Sequence, residues 1–409
     1  MRIAHVTDCY LPRLGGIEMQ VHDLALRQQE AGHDVVVITS TPPAASGEVA
    51  DDVPVLRLAS AFGQPTVASL SEVARVVRTA RFDVLHAHSS AFSALAWSAT
   101  RAAARRSLPC VLTMHSVVVR PTRFLTAPLR LVASGENRPV WTAVSQSAAR
   151  SLQRTVGAQQ VGVLPNGIDP KQWQTPSSAD GHGPLTIVSV MRLAHRKRPL
   201  ALLRILRSVR EQVPADIPLR AVIVGSGPMA QAVGRRLRFE GLHGWVELAG
   251  RLDREQIRDL YATADLYLAP AELESFGIAA LEARCAGLPV VAMACGGVGD
   301  FVQDGVGGRL VDSDAQMAQV AAQLLTDHDR RLAMREHHRR TAPTMTWPAV
   351  LSQTMRLYAV AGVRAQPALA RARRQEAEVG HDIDLGVDHD IDLGIDAPGD
   401  LVDARNVAP

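Results

Sequence analysis

Two glutamates, Glu274 and Glu282, stand eight residues apart in the run PAELESFGIAALEARCAGLPVV, which is otherwise rich in small and apolar residues. A carboxylate that accepts two hydrogen bonds from vicinal hydroxyls is the usual protein grip on a ribose or hexose, and two carboxylates can grip one of each. Phe276-Gly277-Ile278 follows a strand pattern ending at Ala269-Pro270, and helical spacing (Ile278, Leu281, Glu282, Cys285) takes over at once. A helix that begins there turns unpaired backbone N–H groups and its positive dipole end toward a ligand's oxygens. Glu282, four residues after Ile278, lies one turn deeper on the same face. The spacing also admits a purely structural reading, in which Glu274 favours the helix dipole and Glu282 is solvated or paired with Arg284 or Arg258.

Other residues have chemistry of their own. In Leu14-Gly15-Gly16-Ile17-Glu18, Gly16 opens a helix after the first strand, so backbone N–H groups can approach a pyrophosphate without a Cβ between. The G-x-G-x-x-G spacing of a dinucleotide site is absent. Arg192 ends a strand and Lys197 follows five residues later, a pair able to neutralise a departing diphosphate; the basic run Arg196-Lys197-Arg198 also reads as a solvated loop. Gly225-Ser226-Gly227-Pro228 is a further strand-to-helix turn. His86, His88 and His115 sit at strand ends and raise the question of zinc, but no carboxylate or cysteine completes a ligand set and we expect no metal. A satisfied core imidazole is the expectation for His86.

These groups need elements to hold them. Short Val- and Ile-rich runs alternate with helical patterns throughout, which predicts parallel sheets covered by helices, an α/β chain. Strands are expected at Arg2–Thr7, Asp34–Thr39, Asp83–Ala87, Cys110–Met114, Val140–Val144 and Val161–Leu164. After Pro165-Asn166-Gly167 and a Pro/Ser/Gly-rich stretch the pattern restarts at Leu185–Val190, Leu219–Val224, Trp245–Leu248, Asp265–Ala269 and Pro289–Met293. Two Rossmann-like, doubly wound domains facing across a cleft fit this order, with boundaries at 1–168 and 169–346. A last helix is expected over 347–362. From Ala365 to Pro409 the composition turns acidic, with the near-repeat HDIDLGVD and HDIDLGID, and predicts a disordered tail rather than a calcium-binding repeat.

E-S-F-G-I-A-A-L-E resembles the E-x7-E motif of the retaining glycosyltransferases of family 4, and the resemblance runs from Arg2 to about Ala361. It implies the two-domain GT-B architecture, the helix at 347–362 packing back on the first domain, and a nucleotide-sugar donor without a metal or other cofactor. It further implies that Glu282 holds the donor's ribose. Glu274 would contact donor-sugar hydroxyls with the amides of Phe276 and Gly277. Gly16, Arg192 and Lys197 would then border the diphosphate, with Gly225 near the nucleotide and His115 beside the sugar. The chain departs from the family in two places: Arg198 stands where Gly is common, and Gly299-Asp300 replaces the Pro-Glu of a GG-x-P-E segment. The segments around His86–Ser93, Leu112–Ser116 and Arg192–Lys197 are most similar to the branch of the family that transfers N-acetylglucosamine to phosphatidylinositol. That branch implies UDP-N-acetylglucosamine as donor and an inositol phosphate or phosphatidylinositol as acceptor, with His88, Arg120 and Arg123 on the acceptor side.

Charge patterning agrees with an anionic partner. Between Arg101 and Arg154 there are nine arginines and one acid, Glu136, which predicts an affinity for anionic membrane surfaces rather than nucleic acid. No signal peptide or membrane-spanning run is evident and the four cysteines are isolated, so a cytoplasmic protein, peripheral at the inner face of the membrane, is expected. The rival readings are a family 4 transferase acting on a lipid-linked or polysaccharide sugar, a nucleotide-sugar epimerase, which needs no acceptor, and a non-catalytic membrane-surface protein, which leaves Glu274, Glu282 and Arg192 without a purpose.

Overall fold

The computed structural model describes residues 1–44, 52–61, 64–118, 127, 129–132, 137–157, 160–174 and 183–379 of the chain, with side chains described to 366. Its first sheet contains β1 (Arg2–Thr7), β2 (Asp34–Thr39), β3 (Val55–Arg57), β6 (Val84–Ser89), β7 (Cys110–Met114), β8 (Val140–Ala143) and β9 (Gly162–Val163), in the order β3-β2-β1-β6-β7-β8-β9. A small hairpin, β4 (Ser60–Ala61) and β5 (Gln64–Pro65), stands apart. The second sheet orders β10 (Leu185–Val190), β11 (Leu219–Val224), β12 (Val246–Gly250), β13 (Leu266–Ala269), β14 (Val290–Met293) and β15 (Gly308–Val311) as β12-β11-β10-β13-β14-β15. Every pairing within the two large sheets is parallel. The chain is therefore two Rossmann-like α/β domains of the GT-B type.

One face of the first sheet changes character along its strands. At the amino ends it is apolar, with Ile3, Val35, Val84, Val111 and Val140 packed together. Two residues further on, the same face presents His5, His86, Thr113 and Thr142, all buried. Strand order and register put His5 directly beside His86. Parallel strands bring their carboxyl ends to one edge, so this polar border lies where such sheets bind ligands.

The two domains share buried apolar residues, since one cluster contains Val6, Leu85 and Leu112 together with Val188, Tyr261 and Leu281. The two chain crossings are also joined. Ile168 N–H donates to the Met345 carbonyl (3.0 Å) and Trp347 N–H to the Ile168 carbonyl (3.1 Å). Gln20 clasps Gly167 from the first domain, accepting from its N–H (2.9 Å) and donating to its carbonyl (3.1 Å). A Cβ at Gly167 would stand 2.4 Å from the Trp347 ring, so only glycine admits that indole.

The terminal helix differs from expectation in length. It runs from Trp347 to Val379, well past 362 and into the stretch read as tail. The residues after 365 are rich in Ala, Arg, Gln and Glu, which prolong a helix even where no core requires it. Tyr358 and Ala361 on this helix pack with Ile3, Val21 and Val84, so the helix returns to the first domain. The repeat at 381–396 lies outside the described residues.

Candidate active site

The Ile278–Cys285 helix begins where the sequence places it, after Gly277, whose φ of +95° is left-handed and favours glycine. No side chain caps its first N–H groups. It faces the start of the Gly16–Glu30 helix, which is likewise uncapped by a side chain: a Cβ built on Gly16 would lie 3.8 Å from Ile278 Cγ2. Two helix N-termini thus meet across the cleft, a favourable setting for a multiply charged anion.

Glu274 sits at this junction, and its carboxylate is ion-paired with Lys197 Nζ. The side chains are 16% and 17% exposed, so the pair is shielded yet reachable from the cleft. The sequence left open which cation of the run Arg196-Lys197-Arg198 matters, and the backbone separates them. Arg196 is exposed. Arg198 turns away, bidentate on Asp314 (2.8 and 3.0 Å) and paired with Glu272 (3.1 Å). Arg198 also has φ +56°, the left-handed region that favours glycine, the residue the family resemblance leads one to expect at this place. Arg192 is exposed at the end of β10, and its guanidinium makes no hydrogen bond or ion pair among the described residues.

Gly225 and Gly227 belong to the scaffold under Arg192. Their φ values are +132° and +156°. Cβ atoms there would fall 1.9 Å from the Met191 carbonyl oxygen and 2.5 Å from that of Leu193. This close approach lets the Val224–Gly227 turn brace the Met191–Leu193 turn. Phe276 contributes its ring to the core against Phe301, leaving only its backbone for the cleft.

Glu282 is half-buried, and burial pushes its carboxyl up to about 8. Its charged neighbours are Arg254, which opposes that shift, and Asp23, which adds to it, rather than the Arg284 or Arg258 of the structural alternative. Arg254 itself reaches Asp23 of the first domain at 3.0 Å. A carboxyl whose pKa rises on folding adds stability below its unfolded value, and that stability is lost as pH rises through the folded value. The free protein is therefore expected to lose melting temperature progressively from about pH 4.5, the ordinary carboxyl value, to about pH 8, and to level off above it. Glu282→Gln should flatten that fall, and an unchanged slope in scanning calorimetry would contradict the assignment.

Asp300, the acid at the Gly299-Asp300 departure, points to the other domain. Its Oδ2 accepts from Gln146 N–H at 2.8 Å, at the start of the Gln146–Val156 helix. Ser145 Oγ donates to the Ser275 carbonyl at 2.5 Å, and Val117 N–H donates to Ser275 Oγ at 3.2 Å. The E-x7-E loop is thereby tied to the first domain on both sides. Nothing in the local sequence marked Ser145, Ser275 or Gln146 for this.

His115, at the end of β7, is half-buried, and burial lowers its pKa to about 4. Its Nε2 is 3.1 Å from His88 Nδ1. His88 was expected among acceptor contacts, but it is 3% exposed and both its nitrogens are taken, by His115 and by His5 (2.9 Å). It lines the same cavity as His115. His86 has Tyr358 and Thr113 as partners, the satisfied core imidazole of the sequence reading. His5, His86 and His88 bring ring nitrogens within 4.8 Å of one another, a spacing that a metal could bridge. The same nitrogens make the hydrogen bonds just described, and among the described residues no carboxylate joins the group. Arg120 and Arg123 lie outside the described residues. Of the remaining basic stretch, Arg105, Arg106, Arg138, Arg150 and Arg154 are exposed. Among the described residues no helix is long and apolar enough to cross a membrane.

Comparison with known proteins places this geometry among relatives. The family model described as Glycosyltransferase Family 4 matches residues 14–172, and that described as Glycosyl transferases group 1 matches residues 172–341. The chain is 28% identical over 314 residues to a human protein named as one subunit of phosphatidylinositol N-acetylglucosaminyltransferase, and the match covers 74% of this chain and 64% of that protein. It is 29% identical over 402 residues to the phosphatidyl-myo-inositol mannosyltransferase of Mycolicibacterium smegmatis, covering 92% of this chain and 99% of that one. Its fold is similar to that of Anabaena HepE solved in complex with UDP, with a TM-score of 0.72 at 22% identity over 88% of this chain and all of the other.

Proposed function

The chain belongs to the family 4 glycosyltransferases, and from that premise we propose that it moves a sugar from a nucleoside diphosphate to a hydroxyl acceptor with retention of anomeric configuration. The observation that carries this reading is the Lys197–Glu274 pair, set where two uncapped helix N-termini meet. In the free protein the two charges neutralise each other. A bound donor offers each a better partner, its diphosphate for Lys197 and its sugar hydroxyls for Glu274. The bond from the anomeric carbon to the phosphate oxygen breaks, the acceptor oxygen bonds on the same face, and the departing phosphate takes the acceptor's proton. Catalysis is then positioning and stabilisation of negative charge by Lys197, Arg192 and backbone amides, with no metal required.

Within this reading the donor is UDP-N-acetylglucosamine and the acceptor an inositol phosphate or phosphatidylinositol. Two relatives support the inositol part, because both are named for phosphatidylinositol acceptors although they differ in the sugar. The exposed arginines of the first domain supply cations for such a phosphate and for a peripheral position on an anionic cytoplasmic leaflet.

Phosphatidylinositol vesicles or inositol 1-phosphate are expected to accelerate UDP release from UDP-N-acetylglucosamine, equally with and without EDTA. Acceleration only by a polyprenyl-linked sugar or a glycan would remove the inositol assignment and leave the transferase. Conversion of the donor with no acceptor present would replace the transferase by an epimerase. Because ribose hydroxyls are best held by an ionised Glu282, donor affinity should rise with pH by up to about tenfold per unit below the carboxyl's pKa. Glu282→Gln should make it independent of pH over that range.

A further inference from the structure

His115 is the last ring of a hydrogen-bonded series that starts at the buried Gln28. Gln28 Oε1 lies 2.6 Å from His5 Nε2, His5 Nδ1 lies 2.9 Å from His88 Nε2, and His88 Nδ1 lies 3.1 Å from His115 Nε2. Burial holds all three imidazoles below their ordinary pKa, so they are neutral at pH 7. A neutral imidazole donates from one nitrogen and accepts at the other. The position of one proton in the series therefore fixes the rest.

The direction is set by a second arm that leaves Gln28. Gln28 Nε2 donates to Tyr358 Oη at 3.1 Å, which leaves that hydroxyl's proton for His86 Nδ1 at 2.9 Å. A proton on His86 Nε2 then faces Thr113 Oγ1 (2.8 Å), with Thr142 Oγ1 (2.7 Å from Thr113 Oγ1) and the Leu112 carbonyl (3.3 Å from Thr142 Oγ1) able to accept in turn. With its amide nitrogen on Tyr358, Gln28 offers its oxygen to His5. His5 then carries its proton on Nε2, His88 on Nε2 and His115 on Nε2.

We propose that Gln28 and Tyr358 are positioning residues that set the tautomer of His115, so that its Nδ1 presents a lone pair and the site accepts a hydroxyl donor there, not an ether or carbonyl oxygen. Nδ1 of His115 makes no hydrogen bond among the described residues, which leaves it free for a ligand. The tautomer stands on the network alone; its consequence, that the hydroxyl is one of a donor sugar, rests on the transferase reading. Gln28 and Tyr358 are separated by 330 residues, so a tyrosine of the terminal helix acts on His115 through Gln28, His5 and His88.

The test is a long-range proton–nitrogen correlation on the full chain labelled with 15N-histidine at pH 7, with the His115 signals assigned by their loss in His115→Gln. The expected result is a protonated Nε2 and an unprotonated Nδ1 for His5, His88 and His115. In Tyr358→Phe, which keeps the buried ring, the His115 Nδ1 signal should shift toward the protonated range, and Gln28→Leu should do the same more strongly. Turnover of UDP-N-acetylglucosamine should fall about three- to tenfold in Tyr358→Phe, with its KM changed less than twofold. A His115 that is protonated on Nδ1 or doubly protonated in the unaltered protein overturns the proposal. So does a Tyr358→Phe protein that loses turnover while its tautomers stay put, since that is the mark of a merely structural residue. The spectrum needs no substrate, so failure of every donor to turn over would overturn the sugar reading and not this one.

Discussion

Turnover of the Lys197→Ala variant is expected to fall about 10²–10³-fold, the range seen when one preorganised charge is removed from a developing anion. Donor affinity should fall less, because Arg192 and the two helix N-termini remain. The variant also strands the Glu274 carboxylate in a shielded position without its partner. A second change, Glu274→Ala on top of Lys197→Ala, should therefore restore melting temperature without restoring turnover. The two losses are expected to couple by about 0.5–3 kcal/mol, as for residues in direct contact. Lys197→Arg is not a conservative rescue, since a planar fork cannot replace a compact ammonium in the same space. Stability and turnover recovering together in the double variant would mean that the pair is structural only.

Gly225→Ala should be the most damaging single methyl in the second domain. The left-handed backbone alone costs about 1–3 kcal/mol in an alanine. The added carbon would also stand 1.9 Å from the Met191 carbonyl oxygen, so the turn carrying Arg192 must move. Gly241 is the control: its φ is +67°, yet a Cβ there meets nothing within 4 Å. Gly241→Ala should show the strain without the displacement. At roughly 2–4 °C per kcal/mol for domains of this size, Gly225→Ala is expected to lower the melting temperature by about 6–12 °C and to abolish turnover, whereas Gly241→Ala loses some stability and keeps its activity. Equal loss in both proteins would reduce Gly225 to an ordinary turn glycine.

What could be read from the sequence was local. The helix after Gly277 and the strand-end position of Arg192 follow from short-range periodicity and turn chemistry, and the structure places both as expected. The distinction among Arg196, Lys197 and Arg198 was not legible, because it depends on a left-handed residue and on Asp314 far along the chain. His5 carried no signal at all. Its place beside His86 and His88 is created by the parallel register of β1 with β6, which no spacing within either strand encodes. The same holds for Gln28, Tyr358 and Asp300, each of which acts on a partner more than a hundred residues away or in the other domain. The strand β15 was missed because Gly308-Arg309 breaks the apolar run, although Gly308 is demanded there by the Val290 carbonyl, 2.1 Å from where a Cβ would stand.

The return of the terminal helix to the first sheet also orders events in time. Ribosomes add about 5–20 residues per second, so the gap of 330 residues between Gln28 and Tyr358 corresponds to roughly 15–65 s of synthesis. Through that interval the first domain has its strands but lacks the tyrosine hydroxyl that its Gln28 and His86 require and the apolar cover of Tyr358 and Ala361. It emerges first and is finished last. A nascent chain stalled before Tyr358 should hold this domain open to chaperones and proteases even after the second domain has folded, which makes the final helix the step that commits the whole polypeptide to its native state.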